Sequence, residues 1–388
     1  MKSTLPLLAL AIGAFGIGTT EFSPMGLLPT IATGVGVDIP TAGLLVTAYA
    51  VGVMAGAPVM TLLFGRMRTR TALMTLMAIF VAGNLLSAVS QNYATLLVAR
   101  LITSLNHGAF FGIGSIVAAS LVPREKQASA VATMFMGLTI ANIGGVPAAT
   151  WIGQQIGWRM AFAGTAGLGV LAIIALYFAL PKGAPGKLPD VRAELAVILK
   201  PTVLLAMGTT VMGAGAMFTL YTYVVPALET LTGASPVFVT FALVLVGLGF
   251  TFGNWAGGRL ADWSLDGSIK LFLLLIAVIM LAIPFLFASH IGAAIGLFVF
   301  GIATFAVVPP AQMRVMQAAS GAPGLASSVN IGAFNLGNAL GAAAGGAVLS
   351  AGLGYEAVPV VGAVLAAVGL VIVFVSGSRP APSVRPAE

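Results

Sequence analysis

The chain of 388 residues contains no cysteine and only two histidines, His107 and His290. Disulfide bridges and thiolate metal ligands are therefore excluded, and a metal centre built from several histidines is not expected. No phosphate-binding glycine loop lies in the polar segments, so ATP hydrolysis is not the predicted energy source. Charged residues make up only 7% of the sequence, against about a quarter in a soluble domain. A surface solvated on all sides is excluded, and no metal or other cofactor is predicted.

Acidic residues are especially scarce, with ten Asp and Glu against 17 Lys and Arg. All but one of the acids fall in segments that are predicted to be loops or tails. The exception is Glu21, which lies inside an apolar run that begins at Leu5. A carboxylate at the centre of a bilayer costs roughly 2.5–3.5 kcal/mol, so such acids are rare and usually functional. This pattern is typical of proton-coupled transport.

Long apolar runs recur along the whole chain, which is 59% hydrophobic. Many approach or exceed the ~18 residues that suffice to cross a bilayer as a helix. The alternating segments of about ten residues expected of an outer-membrane barrel do not occur. We therefore predict an all-α membrane protein with twelve transmembrane helices. Their predicted positions are 5–29, 41–64, 72–90, 94–121, 128–152, 160–180, 202–226, 236–261, 270–288, 292–315, 325–350 and 357–376.

The longest and most charged connection, 181–201, divides the chain into two halves. The expected units are an N-terminal six-helix bundle (1–180), this cytoplasmic linker, a C-terminal six-helix bundle (202–376) and a cytoplasmic tail (377–388). Most Lys and Arg fall on one side if both termini are cytoplasmic, as the positive-inside rule requires. We therefore predict a multi-pass protein of the bacterial inner membrane. The same bias explains the net charge of +7 without nucleic acid as a partner.

The two halves carry matching residues at a constant spacing. Gly56, expected to open the loop after the second span, and Gly253, after the eighth, are 197 positions apart. Gly144 and Gly341, in the fifth and eleventh spans, share that spacing. An even number of spans in each half makes the halves parallel, related by an axis along the membrane normal. Two parallel six-helix pseudo-repeats around a central cavity are therefore predicted.

The loop between the eighth and ninth spans contains the segment Gly258-Arg-Leu-Ala-Asp262. A glycine permits close helix approach, and an aspartate can cap a helix end or pair with a cation. This segment resembles the Gly-x-Leu-Ala-Asp-Arg loop signature of the major facilitator superfamily. The resemblance implies that Gly258, Arg259 and Asp262 help to latch the cytoplasmic side. The first-half copy is degenerate, because Gly65 stands in place of the aspartate.

The fifth span contains a glycine-rich stretch that ends at Pro147 and resembles the antiporter signature of exporters. Small residues allow tight helix contact and a proline bends a helix. We therefore expect Gly144, Gly145 and Pro147 to shape how the halves rock. The stretch departs from the signature because Val146 separates the last glycine from the proline.

The fourth span carries Arg100 and His107, in a segment that resembles the intramembrane arginine motif of the same superfamily. At ~1.5 Å per residue, Glu21 and Arg100 both lie roughly 10–12 Å below the outer surface, so depth allows them to pair. Resemblance adds that the first and fourth spans line the cavity. Glu21, Arg100 and His107 are the residues predicted to couple transport to protons. A static ion pair that fixes helix packing is the alternative for the first two, and a satisfied polar contact is the alternative for His107.

Aromatic residues and isolated amides in the spans suit an amphipathic organic substrate. The candidate substrate contacts are Tyr49, Asn142, Phe218, Tyr221, Tyr223, Asn330, Asn335 and Asn338.

Over nearly its whole length the chain resembles the twelve-span drug:proton antiporter branch of the superfamily. The most similar members are the arabinose-efflux-permease-like and chloramphenicol-resistance permeases. The resemblance implies a proton-coupled secondary exporter of small, drug-like amphipathic molecules that works by alternating access. Its expected partners are the substrate, protons and the lipid bilayer, and it is expected to be a monomer. Sugar or nucleoside efflux is the alternative within transport. A passive channel also remains open, whereas an enzyme would need a cluster of catalytic groups.

Overall fold

The computed structural model describes residues 4–37, 39–183 and 190–377, and all regular elements within these ranges are helices. The predicted tail beyond 377 and the centre of the linker, 184–189, lie outside the described residues. The described end of the linker contains one short helix, α9, whose first turn is capped by the Asp190 side chain.

The helices of the first half are α1 (Thr4–Gly26), α2 (Leu28–Val35), α3 (Ile39–Phe64), α4 (Thr69–Val89), α5 (Tyr93–Ser120), α6 (Gln127–Ile140), α7 (Val146–Ile152) and α8 (Trp158–Ala179). Then follow α9 (Val191–Ile198), α10 (Pro201–Tyr221), α11 (Val224–Thr232), α12 (Pro236–Trp263), α13 (Leu265–Leu286), α14 (His290–Ala306), α15 (Val308–Ala318), α16 (Pro323–Ser350) and α17 (Ala357–Gly377). Two π-helical turns, Ala141–Gly145 and Gly153–Gly157, lie before and after α7.

The described residues contain ten helical stretches that are long and apolar enough to cross a membrane. One of them, Arg124–Ala179, is 56 residues long and contains two spans. The chain reverses at Gly157, whose φ of +124° is open to glycine but strained for other residues. The remaining span is α16, which is not among the ten stretches because glycine, alanine and polar residues lower its hydropathy. The twelve-helix fold predicted from the sequence is thus confirmed.

Two predicted spans end earlier than expected, and a third, 292–315, is interrupted at Val307 between α14 and α15. The span predicted at 5–29 stops at Gly26, and the one at 202–226 stops at Tyr221. Short helices, α2 and α11, follow them. Apolar residues continue from each long helix into the short one, so composition alone does not mark the breaks.

The two halves pack their helices in the same way. Gly56 lies within α3 and lets Leu105 of α5 come close, while Gly253 lies within α12 and contacts the backbone of Ile302 in α14. The prediction that these two glycines open loops is therefore wrong. The equivalent packing of α3 on α5 and of α12 on α14 agrees with the predicted pseudo-repeat.

The match between Gly144 and Gly341 does not extend to their surroundings. A side chain at Gly341 would meet the backbone of Gly215 in α10, whereas one at Gly144 would have no neighbour within 4 Å. In the fifth span it is Gly145 that faces another helix, at Thr19 of α1. Gly137, Ala141 and Gly145 follow one another at intervals of four residues on the face toward α1, and Gly144 lies off that face.

Candidate functional site

A cavity of about 40 Å³ lies between the two halves. The first half contributes side chains from α1, α5 and α6, and the second half contributes α10, α14, α15 and α16. Most of the wall is apolar or aromatic. The polar residues that line it are Glu21, His107, Thr210, Thr304, Gln312 and Asn330. A mostly apolar wall with a few polar groups is typical of a small-molecule site.

Glu21 is the only acid among the described residues that line this cavity. It lies on α1 with 8% of its surface exposed, beside Phe22, which also lines the wall. The remaining acids of the described chain do not line the cavity. The position of Glu21 therefore places one ionisable carboxyl group between the halves.

Arg100 lies behind this wall, and only 1% of its surface is exposed. Its Nη1 donates a hydrogen bond of 2.9 Å to the backbone carbonyl of Thr20, and its guanidinium carbon lies 4.3 Å from the ring centroid of Tyr49. No ion pair within 4.0 Å joins Arg100 to Glu21, although both lie in the described part of the chain. The side-chain atoms Nε and Nη2 of Arg100 are buried without a hydrogen-bond partner among the described residues. The guanidinium thus has donor capacity that this conformation leaves unused.

Tyr49 connects Arg100 to the cavity. The same ring that stacks on the guanidinium carries a hydroxyl 3.2 Å from Nδ1 of His107. His107 in turn lines the cavity and packs against Phe111. The structure therefore brings together the three residues predicted to couple to protons and one predicted substrate contact. Tyr49 itself is buried one layer behind the lining.

The second-half wall contains two of the predicted substrate contacts, Phe218 and Asn330. Asn330 donates from Nδ2 to Oε1 of Gln312 at 2.7 Å, and Gln312 donates from Nε2 to the backbone carbonyl of Ser327 at 3.1 Å. Gln312 and Thr210 were not predicted from the sequence. Gln312 is an isolated amide within an apolar span, which is the same pattern that indicated the candidate asparagines. A single threonine in such a span carries little information.

The other predicted substrate contacts do not line the cavity in this conformation. Asn142 and Asn335 donate to carbonyls four residues earlier in their own helices, at 3.1 and 2.9 Å. The hydroxyl of Tyr223 donates to the carbonyl of Ala342 at 2.8 Å. Tyr221 packs on Phe250, and Asn338 is half-buried outside the lining. Their assignment to substrate remains a prediction.

The two halves also meet through Asp262, at the end of α12. This residue lies on the side of the membrane where α1 begins and α17 ends, which we call the terminal side. Its carboxylate accepts hydrogen bonds from the backbone N–H groups of Ala128 (3.0 Å) and Ser129 (3.3 Å), and from the Ser129 hydroxyl. Because α6 has no N-terminal side-chain cap of its own, an acid from the opposite half supplies it. Arg259 is exposed and lies over Trp255, 5.7 Å from the ring centroid.

Three further contacts extend this connection between the halves. Thr61 donates to the Ser328 hydroxyl at 2.6 Å, and Asn254 donates to the carbonyl of Ala132 at 2.6 Å. A hydrogen bond of 3.1 Å joins the hydroxyls of Thr251 and Thr139. Gly258 allows α12 to approach α6 closely, since a side chain there would meet Ala128 and Ala132. These contacts hold the halves against each other from the terminal side up to the level of the cavity, where Thr139 follows the lining residue Leu138.

Comparison with known proteins agrees with this architecture. The family model of the Major Facilitator Superfamily matches residues 10–330. The "Inner membrane transport protein YdhP" of Escherichia coli (strain K12) is 67% identical over 98% of this chain and 97% of that protein. A "Chloramphenicol resistance protein" of Streptomyces lividans is 33% identical over 90% of both chains.

A solved structure shows the same fold. The crystal structure of the transporter FucP in the outward conformation aligns with a TM-score of 0.78 at 15% identity, over 98% of this chain and 100% of that one. Family, relatives and fold agree with the helix pattern and with the cavity between the halves. The chain is thus a multi-pass membrane transporter, not an enzyme, and it belongs to the Major Facilitator Superfamily.

Proposed function

We propose that this transporter is a proton-coupled antiporter that exports small, drug-like amphipathic molecules by alternating access. We place it in the bacterial inner membrane with both termini in the cytoplasm, as its basic loops favour. The observation that carries the proposal is that Glu21 supplies the single carboxyl group that the described residues place in the wall of a cavity shared by both halves. An intramembrane acid that faces such a cavity can bind a proton and substrate in turn.

Arg100 supports a switching role for Glu21. The guanidinium has two buried donor atoms without partners, and its bonded partner, Thr20, is the residue immediately before Glu21. A deprotonated Glu21 would satisfy these donors, because a carboxylate accepts two parallel hydrogen bonds from a guanidinium. A protonated Glu21 carries no charge to hold it against the guanidinium, so its side chain remains at the cavity. Protonation would therefore move this side chain between two positions.

Proton binding can drive transport only if the two access states differ in their affinity for the proton. In the described state the halves touch on the terminal side, through Asp262 and the bonds near it. Opening these contacts would expose the cavity to the cytoplasm, in the orientation proposed above. Because α1 and α5 carry Glu21 and Arg100, movement of either helix would change the environment of the carboxyl group. This supplies the difference in proton affinity that coupling requires.

The cavity wall favours amphipathic molecules over sugars. Apolar side chains, among them Phe111, Phe218 and Phe334, dominate the lining, and polar groups are few. A sugar would need a hydrogen-bond partner for most of its hydroxyls, and each unmatched polar group is costly. The name of the Streptomyces lividans relative supports the same substrate class. Sugar or nucleoside efflux remains the second candidate and belongs in any substrate screen.

The experiment that tests this proposal uses the unaltered protein reconstituted in lipid vesicles. An imposed pH gradient should drive accumulation of a transported compound, and a protonophore should abolish it. The screen should include chloramphenicol, other aromatic drugs, sugars and nucleosides. Transport that is equally fast with and without the gradient would indicate a passive channel and overturn the proposal.

A further inference from the structure

Two polar atoms in the second-half wall have no hydrogen-bond partner in the described part of the chain. They are Oγ1 of Thr210 in α10 and Oδ1 of Asn330 in α16. Both residues line the cavity, and their exposed fractions are only 5% and 3%. Buried polar groups in native proteins are usually paired, so unpaired ones need an explanation. Their location in a transport cavity suggests that a ligand supplies the missing partners.

The orientation of the Asn330 amide follows from its neighbours. The backbone carbonyl of Ser327 can only accept, so the group of Gln312 that faces it must be the NH₂. The oxygen of Gln312 is then turned to Asn330 and can be met only by the NH₂ group of Asn330. This leaves the oxygen of Asn330 as a fixed acceptor. A molecule bound there must present an N–H or O–H donor.

Thr210 differs from its neighbour in the same helix. Threonine hydroxyls in helices commonly donate to the carbonyl four residues earlier. Thr209 does so, to Leu205 at 3.1 Å, and it does not line the cavity. The Thr210 hydroxyl makes no such bond and is available to a ligand.

We propose that Thr210 and Asn330 form a hydrogen-bonding subsite that selects substrates with an N–H or O–H donor on an apolar body. Gln312 is a positioning residue, because it orients Asn330. Phe218 and Phe334, which also line this wall, would pack against the apolar body. Glu21 on the opposite wall would disfavour carboxylates and other anions when it is charged. The inference rests on the proposed function only in taking this cavity as the substrate site.

The test compares binding to the purified full-length transporter at constant pH, without any gradient. The probes are two matched pairs: tyramine with its O-methyl ether, and 2-naphthol with 2-methoxynaphthalene. Each ether lacks the hydroxyl donor. We expect at least one hydroxyl compound to bind about five- to tenfold more tightly than its ether, the effect of one neutral hydrogen bond. Thr210→Val or Asn330→Leu should bring that ratio close to one.

The control is Thr209→Val, the same substitution one residue away, which should keep the preference. A second measurement separates binding from folding. Thr210→Val removes an unpaired buried hydroxyl, so the melting temperature of the ligand-free protein should stay the same or rise. A purely structural role predicts a fall.

The inference is overturned if neither hydroxyl compound binds more tightly than its ether, and equally if none of the probes binds. It is also overturned if the preference for the hydroxyl compound survives both substitutions. Because no pH gradient is used, a failure of proton coupling would leave this result unaffected. Conversely, loss of the binding preference would not contradict gradient-driven transport in vesicles.

Discussion

Replacement of Asp262 by asparagine is expected to open the terminal side of the transporter more often. The carboxylate accepts bonds from the N–H groups of Ala128 and Ser129 and from the Ser129 hydroxyl. Asparagine keeps one acceptor oxygen but loses the negative charge at the N-terminus of α6 and one acceptor. A helix cap contributes about 0.5–2 kcal/mol and a charge near the helix end about 0.3–1 kcal/mol. If the variant loses about 1–2 kcal/mol of closed-state stability, the ratio of open to closed molecules rises ~5–30-fold.

The absence of native cysteine makes this opening measurable with one introduced thiol. Ser328 lies in the contact between the halves and is fully buried, so Ser328→Cys should react with a maleimide only when the terminal side opens. While the closed state dominates, the alkylation rate follows the open fraction. Asp262→Asn should raise that rate ~5–30-fold. Asp266→Asn is the control, because Asp266 pairs with Arg314 within the second half, at 3.5 Å.

Substrate affinity, measured on the same preparation, should change little, whereas the transport rate should fall. An unchanged alkylation rate in Asp262→Asn, or an equal rise in Asp266→Asn, would refute the role of this contact. Weaker binding with unchanged turnover would also contradict it.

Further predictions concern packing and the proton pathway. Gly341→Val should lower the free energy of unfolding by about 1–3 kcal/mol, and with it the melting temperature, because α16 contacts the backbone of α10 at this glycine. Gly164 faces open space, so Gly164→Ala should be tolerated. Equal thermal stability of the two variants would argue against this packing. His107→Gln retains a side chain that can bond to the Tyr49 hydroxyl and should keep gradient-driven transport in vesicles. Loss of coupling with intact binding would instead assign the proton to His107.

Several features of the fold and site could be predicted from the sequence because they depend on composition. A span needs a long apolar run, and a lone acid within such a run is conspicuous, so the helices and Glu21 were recognisable. The Gly258–Asp262 segment indicated a contact on the terminal side. Its partner, the first turn of α6, is more than a hundred residues away in the chain and became evident only from the fold.

Other features depend on local geometry that composition does not encode. In the fifth span Gly145, and not Gly144, faces α1, so a constant sequence spacing did not identify equivalent surroundings. The depths of Glu21 and Arg100 allow an ion pair, but none forms in the described state, in which Arg100 bonds to the backbone of Thr20 and stacks on Tyr49. The roles of Thr210 and Gln312 depend on which of their polar atoms find partners.

The central claim is that Glu21 carries the proton, and Glu21→Gln tests it most directly. Glutamine resembles the neutral carboxylic acid but cannot release a proton. The variant and the unaltered protein should be reconstituted side by side, with substrate binding measured first and transport then driven by an imposed pH gradient. We expect the variant to bind substrate and to show no transport coupled to the gradient. Gradient-driven transport at the unaltered rate would contradict the claim and show that the proton travels by another group.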